Sequence, residues 1–200
     1  MVGLLIRHGH CDAIGRRLAG RCDGNPLNAT GRREADELSA ALRWLPITAI
    51  YSSPLERAVE TAKPLARDHG LPIRTREALT DVDFGEWTGK SLEELAALQA
   101  WHEFNRDRCH ACAPGGEPLV DVQRRIVDEL IGLSRTHPGE MVAIVTHAEP
   151  IRCAIAAFDC RTLDEVLAVE ISPAHVSTVG IGPKLRRVLS INMRAEAAAV

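Results

Sequence analysis

The chain has 200 residues, 46% of them hydrophobic and 26% charged, a length that fills one core well and is marginal for two. A formal net charge of -3 and only 4% aromatic residues exclude the basic, base-stacking surface of a nucleic-acid binder. No apolar run approaches the ~20 residues that cross a bilayer, so no membrane partner is expected.

Strand and helix signals alternate along the chain. Residues 2–7 read as a buried strand, a continuous apolar run without alternation. Asn28-Ala-Thr30-Gly31 precedes an amphipathic stretch, 31–44, in which Ala35, Leu38, Ala41 and Leu42 keep a helical period. Residues 47–52 form a short strand. Ser53-Pro54-Leu55-Glu56 then opens a helix, with Ser53 as N-cap, running to about His69 and stopped by Gly70. A strand follows over 72–76, and a helix over 91–102 from a Ser91/Glu94 capping box. Residues 103–117, with Pro114-Gly115-Gly116, read as a loop. A helix over 119–136, a second buried strand over 141–146 and a helix over 149–158 come next, then a short helix at 162–166. Late strands at 176–181 and 186–193 suit a sheet edge. The alternation predicts an α/β fold in three layers, a mostly parallel central sheet with helices on both faces. Ligands of such sheets bind beyond the carboxyl ends of the strands.

Two of the buried strands end in histidine at that edge. The first delivers Arg7-His8-Gly9-His10, the other Thr146-His147-Ala148-Glu149. Fixed positive charge beside a nucleophilic imidazole suits a phosphate group. Taken singly, His8 and His147 have a structural alternative, a satisfied histidine at a strand end; Arg57 has one as an exposed helix charge. The pairing with Arg7, and Arg57 in the first turn of its helix, favours the phosphate role.

The motifs occur in a recognisable order. Leu5-Ile6-Arg7-His8-Gly9 is followed by Leu18-Ala19-Gly20-Arg21, by Pro26–Gly31 and by Tyr51-Ser52-Ser53-Pro54-Leu55-Glu56-Arg57-Ala58. Asp83-Phe84-Gly85-Glu86-Trp87, Pro114-Gly115-Gly116-Glu117 and Val145–Arg152 complete the set. Over about residues 2–155 the chain resembles the histidine phosphatase superfamily, also called the phosphoglycerate mutase-like family, in its small bacterial branch.

The resemblance implies that His8 is a nucleophile forming a transient phosphohistidine, with Arg7 and Arg57 clamping the phosphoryl oxygens and His147 adding a donor. It implies that Gly9, Cys11, Arg21 and Ala148 stand at the substrate, Arg21 at the mouth of the pocket or else as a solvated charge. The family's proton donor, usually Glu, corresponds here to Asp81, with Asp83 and Glu86 as neighbouring alternatives. Cys11 stands where the family has Ser or Thr, and Ala148 where it has Gly. The family's Asn after the first motif has no counterpart in Ala13-Ile14-Gly15. Segment 86–117 is expected to cap the pocket. No metal or cofactor is implied.

The expected activity is therefore hydrolysis of a small phosphorylated metabolite, such as a sugar phosphate, phosphoglycerate or α-ribazole phosphate. A phosphoglycerate mutase is the rival, against which stand the acid loop Asp83–Lys90 and the short, nearly uncharged tail Arg194–Val200. A phosphate-binding module or a phosphatase of phosphorylated protein is a third reading. Cys109-His110-Ala111-Cys112 has zinc-like spacing but lacks a second pair, and is set aside. Trp44, Trp87 and Trp101 are assigned to the core or the pocket rim. His10 is left open between pocket and solvent. The six cysteines lack the framing of a secreted scaffold, and the N-terminus lacks a leader pattern. A single cytoplasmic domain over 1–200 is expected, a homodimer through the late strands being one option.

Overall fold

A computed structural model describes residues 1–183 and 185–195. The tail weighed above begins at Arg194, and its residues 196–200 lie outside those described. The strands are β1 (Val2–Arg7), β2 (Ile47–Ser52), β3 (Ile73–Thr75), β4 (Met141–Thr146), β5 (Val176–Ile181) and β6 (Arg186–Met193). They form a six-stranded sheet in the order β3-β2-β4-β1-β5-β6. From β3 to β1 every pairing is parallel; β5 and β6 are added antiparallel. The sheet is thus mostly parallel, with the late strands at its edge.

The buried strands feed two cores, because successive side chains point to opposite faces. On one face Leu4, Ile6, Ile50, Ala143 and Val145 pack against α1 (Ala29–Leu42) and α2 (Glu56–His69). On the other, Leu5, Tyr51, Val142 and Ile144 pack against α5 (Leu119–Thr136) and α6 (Ala148–Phe158). This is the three-layer arrangement expected. Chain order and sheet order differ at one decisive place: β1 and β2 leave a gap that β4 fills. Arg7 pairs with Thr146 and Ser52 with Val145, so the three strands end at one level.

Local differences from the sequence reading have physical causes. Helix α1 starts two residues early, because the Asn28 side chain accepts from Gly31 N–H at 3.0 Å. Ser53 is not the cap of α2, which begins at Glu56 without a side-chain cap; its hydroxyl is turned to His147. The helix expected over 91–102 is broken into α3 (Leu92–Ala96) and α4 (Gln99–Arg106), and the second half takes residues read as loop. Leu92, Leu95, Leu98, Trp101 and Phe104 recur every third residue, a spacing that drifts about 60° per step around an α-helix. Only a break lets both Leu95 and Phe104 be buried. The short helix at 162–166 is a 3-10 turn over Leu163–Ala168. Trp44 is neither core nor rim: it is 79% exposed, with the Arg43 guanidinium over its ring.

Candidate active site

The ends of β1, β2 and β4 set the floor of the site. His8 N–H donates to Thr146 O at 3.0 Å and Ser53 N–H to Val145 O at 2.9 Å, which extends the sheet one residue beyond each strand. His8 and His147 therefore stand side by side, ring centroids 5.1 Å apart. Gly9 lets the chain turn under them, where a Cβ would lie 2.7 Å from the Gly31 carbonyl oxygen.

The His8 ring has a definite tautomer. Its Nδ1 lies 2.7 Å from the Gly9 carbonyl oxygen, which can only accept, so Nδ1 carries the hydrogen. Nε2 then has the lone pair, and Arg57 Nε–H donates to it at 3.2 Å. Burial, then the charges of Arg57 and Arg7, hold the His8 pKa well below its ordinary value. The imidazole is a neutral base with its lone pair facing a guanidinium.

Arg57, 1% exposed, is oriented from two further directions: its NH2 donates to Gly20 O at 2.8 Å and to Asp81 Oδ2 at 3.0 Å. Asp81 Oδ1 accepts from Val82 N–H at 2.9 Å. Burial raises the Asp81 pKa and outweighs the opposing pull of Arg57. Arg7 donates through NH1 to Ile171 O at 2.6 Å, while its Nε is buried without a protein partner. Desolvation, then the charge of Arg152, lowers its pKa.

His147 Nε2 lies 2.8 Å from Ser53 Oγ, and that oxygen already accepts from Leu55 N–H at 3.3 Å. The assignment that satisfies both groups has the hydroxyl donating to Nε2. That leaves the hydrogen on Nδ1, which is 3.6 Å from Asp81 Oδ2. Burial, then Arg57, keeps this ring neutral as well.

Arg7, His8, Cys11, Arg57, Asp81 and Ala148, among others, line a cleft of about 480 Å³; His147, 1% exposed, is not among its lining residues. Leu92, Trp101, Asn105 and Arg108, from segment 86–117, line the same cleft. Of the other residues singled out in the sequence, Gly9 lies behind His8, its N–H donating to Thr61 Oγ1 at 3.0 Å. Arg21 does not line the cleft; it lies against the Asp81 backbone and Glu117. His10 turns away to Glu34, at 2.6 Å. Among the described residues, no cluster of His, Cys, Asp or Glu is placed to hold a metal ion.

The sequence reading missed the far wall. Arg108 NH1 and Arg152 NH1 grip the two oxygens of Glu149, each at 2.7 Å, beside the cleft. Burial alone would push the Glu149 carboxyl up, but the two arginines override it and hold its pKa below the usual range. Glu149 and Arg152, three apart at the start of a helix beyond His147, were the available signal. Arg108 had none.

The profile of the histidine phosphatase superfamily, branch 1, matches residues 4–194. The chain belongs to the histidine phosphatase superfamily. It is 35% identical over 153 residues to a bifunctional protein of Mycobacterium tuberculosis, a match covering 74% of this chain but 42% of that protein. The chain thus spans less than half of those mycobacterial relatives. It is 27% identical to a 2,3-bisphosphoglycerate-dependent phosphoglycerate mutase of Thermoplasma acidophilum and to phosphoserine phosphatase 1 of Hydrogenobacter thermophilus. Each match covers 95% of this chain and 91% of the relative. Among solved structures, Bacillus stearothermophilus YhfR superposes with a TM-score of 0.88 at 29% identity, over 94% of this chain and 95% of that one. In this member of the superfamily His8, His147, Arg7, Arg57 and Asp81 come together at the ends of the central strands.

Proposed function

We propose that this chain is a phosphomonoesterase acting on a small phosphorylated metabolite through a phosphohistidine on His8, without a metal. The observation that carries the reading is the His8 ring, locked by the Gly9 carbonyl so that Nε2 carries no hydrogen and accepts from Arg57 in a positively charged cleft. The phosphate of a monoester would sit between Arg7 and Arg57. Nε2 would attack phosphorus as the bond to the ester oxygen breaks. Asp81, its pKa raised by burial, would deliver a proton to that oxygen. The resulting carboxylate would take a proton from water, which attacks the phosphohistidine, releases phosphate and restores both groups. His147 Nδ1–H would donate to a phosphoryl oxygen. Removing any one such donor costs about 10²–10³ in rate.

A half-enclosed cleft of about 480 Å³ suits a metabolite-sized leaving group. The phosphoserine phosphatase relative supports the same class of substrate. Six free cysteines fit a reducing, cytoplasmic setting, and among the described residues no helix is long and apolar enough to cross a membrane. The test is phosphate release across a panel of monoesters in excess EDTA, with 3-phosphoglycerate plus a bisphosphate primer included. Hydrolysis that survives EDTA and is lost in His8→Ala is expected. Isomerisation of 3-phosphoglycerate faster than its hydrolysis would make the chain a mutase, the reading that its Thermoplasma relative suggests.

A further inference from the structure

The loop that carries Asp81 is fastened by its backbone. Four carbonyls in succession are taken. Arg125 NH1 donates to Ala78 O and Thr80 O, each at 2.8 Å, and its NH2 to Asp81 O at 3.1 Å. Thr146 Oγ1 donates to the one between, Leu79 O, at 2.6 Å. Arg21 Nε adds a second donor to Asp81 O at 3.0 Å.

Glu117 ties this grip together. Its Oε1 accepts from Arg125 NH2 and Arg21 NH2, both at 2.8 Å, and from Asp83 N–H at 3.0 Å. Its own N–H returns to Asp83 O at 2.9 Å. Beneath it the two loops lie in direct contact: Gly85, at φ 49°, has no room for a Cβ, which would fall 2.2 Å from Pro114 O. None of Arg125, Glu117 and Arg21 lines the cleft. A guanidinium, with five donors in a rigid plane, can hold divergent carbonyls at once in a fixed geometry, whereas an amide has two donors.

We propose that Arg125 and Glu117 are positioning residues for proton transfer: through the backbone of Ala78–Asp81 they set where the Asp81 carboxyl stands beside Arg57 and His147. This rests on Asp81 being the proton donor. A shift of about 1 Å in a reacting group costs on the order of 10²-fold in rate. That loss falls selectively on substrates that need the proton. A p-nitrophenolate leaves unaided, whereas the alkoxide of glycerol phosphate does not. Simple unfolding would lower both alike.

The experiment compares kcat/KM, which reports transfer up to the phosphohistidine, for p-nitrophenyl phosphate and glycerol phosphate. The enzymes are wild type, Arg125→Gln, Glu117→Gln, Asp81→Asn and the double variant Asp81→Asn/Arg125→Gln. Arg125→Gln should lose about 10²-fold on glycerol phosphate and little on the aryl ester. Glu117→Gln should show a smaller loss with the same selectivity, and serves if Arg125→Gln does not fold. In the Asp81→Asn background, Arg125→Gln should add nothing on the alkyl ester. Equal losses on both esters in the positioning variants, or losses that add in full to that of Asp81→Asn, would overturn the proposal while leaving Asp81 as donor. If Asp81→Asn itself falls alike on both esters, the donor is another group and both readings fall.

Discussion

Burial pushes two neighbouring side chains toward the neutral form, with opposite consequences. It lowers the pKa of His8, which must not carry a proton to attack, and raises that of Asp81, which must carry one to give away. For an ester with a poor leaving group, Asp81 has to be protonated, so kcat/KM falls as pH rises through its pKa. Burial places that limb above the ordinary carboxylate value of about 3.9. His8 has to be unprotonated, and its depressed pKa removes any acidic limb near pH ~6.5. A pH–rate profile on glycerol phosphate, corrected for the ionisation of the substrate, should therefore decline only on the alkaline side. It should be flat there in Asp81→Asn; an alkaline limb surviving in that variant would assign it to another group. At this scale the sequence was most readable where a side chain sits at a strand end, as His8, Arg7 and His147 do. Arg108 was invisible because its partner Glu149 is 41 residues away and only folding joins them. Arg21 was misplaced for a similar reason: its contacts are made 60 and 96 residues on.

Among the elements, a buried ion pair joins the chain after α4 to α6. Arg108, 3% exposed, follows the end of α4, and Glu149 lies in the first turn of α6. With Arg152 on the other oxygen, the carboxylate ties the two together. Its pKa is depressed on folding, so the stability it supplies is present above the unfolded value of about 4.3 and is lost as pH falls through the lower folded value. Glu149→Gln leaves the buried Arg108 and the partly buried Arg152 facing a neutral amide. It should cost about 3–5 kcal/mol at pH 7 in urea unfolding, with the gap to wild type closing as the pH falls below about 4. An equal gap at both ends of that range would show that Glu149 is not held as a carboxylate. The same segment shows why local pattern reading stops short. The Ser91/Glu94 capping box announced a helix, but not that burying both Leu95 and Phe104 requires a change of axis. Ser53 had the spacing of a cap and is used instead by His147, a partner 94 residues downstream.

At the level of the molecule, the parallel sheet and its helices were legible because buried strands and amphipathic helices alternate over most of the chain. The strand order was not. That β4 enters between β1 and β2 is a property of the whole fold, and it is what carries His147 into line with His8 and Ser53. The proposed reaction depends on that convergence producing a nucleophile. The direct measurement is to quench the enzyme during turnover of a monoester, under alkaline conditions that preserve phosphoramidates, and to locate the phosphoryl group by peptide mass spectrometry. The account predicts one acid-labile phosphoryl group on His8, absent from His8→Ala, which should also be inactive. Turnover persisting in His8→Ala, or a phosphoryl group found on another residue, would contradict it.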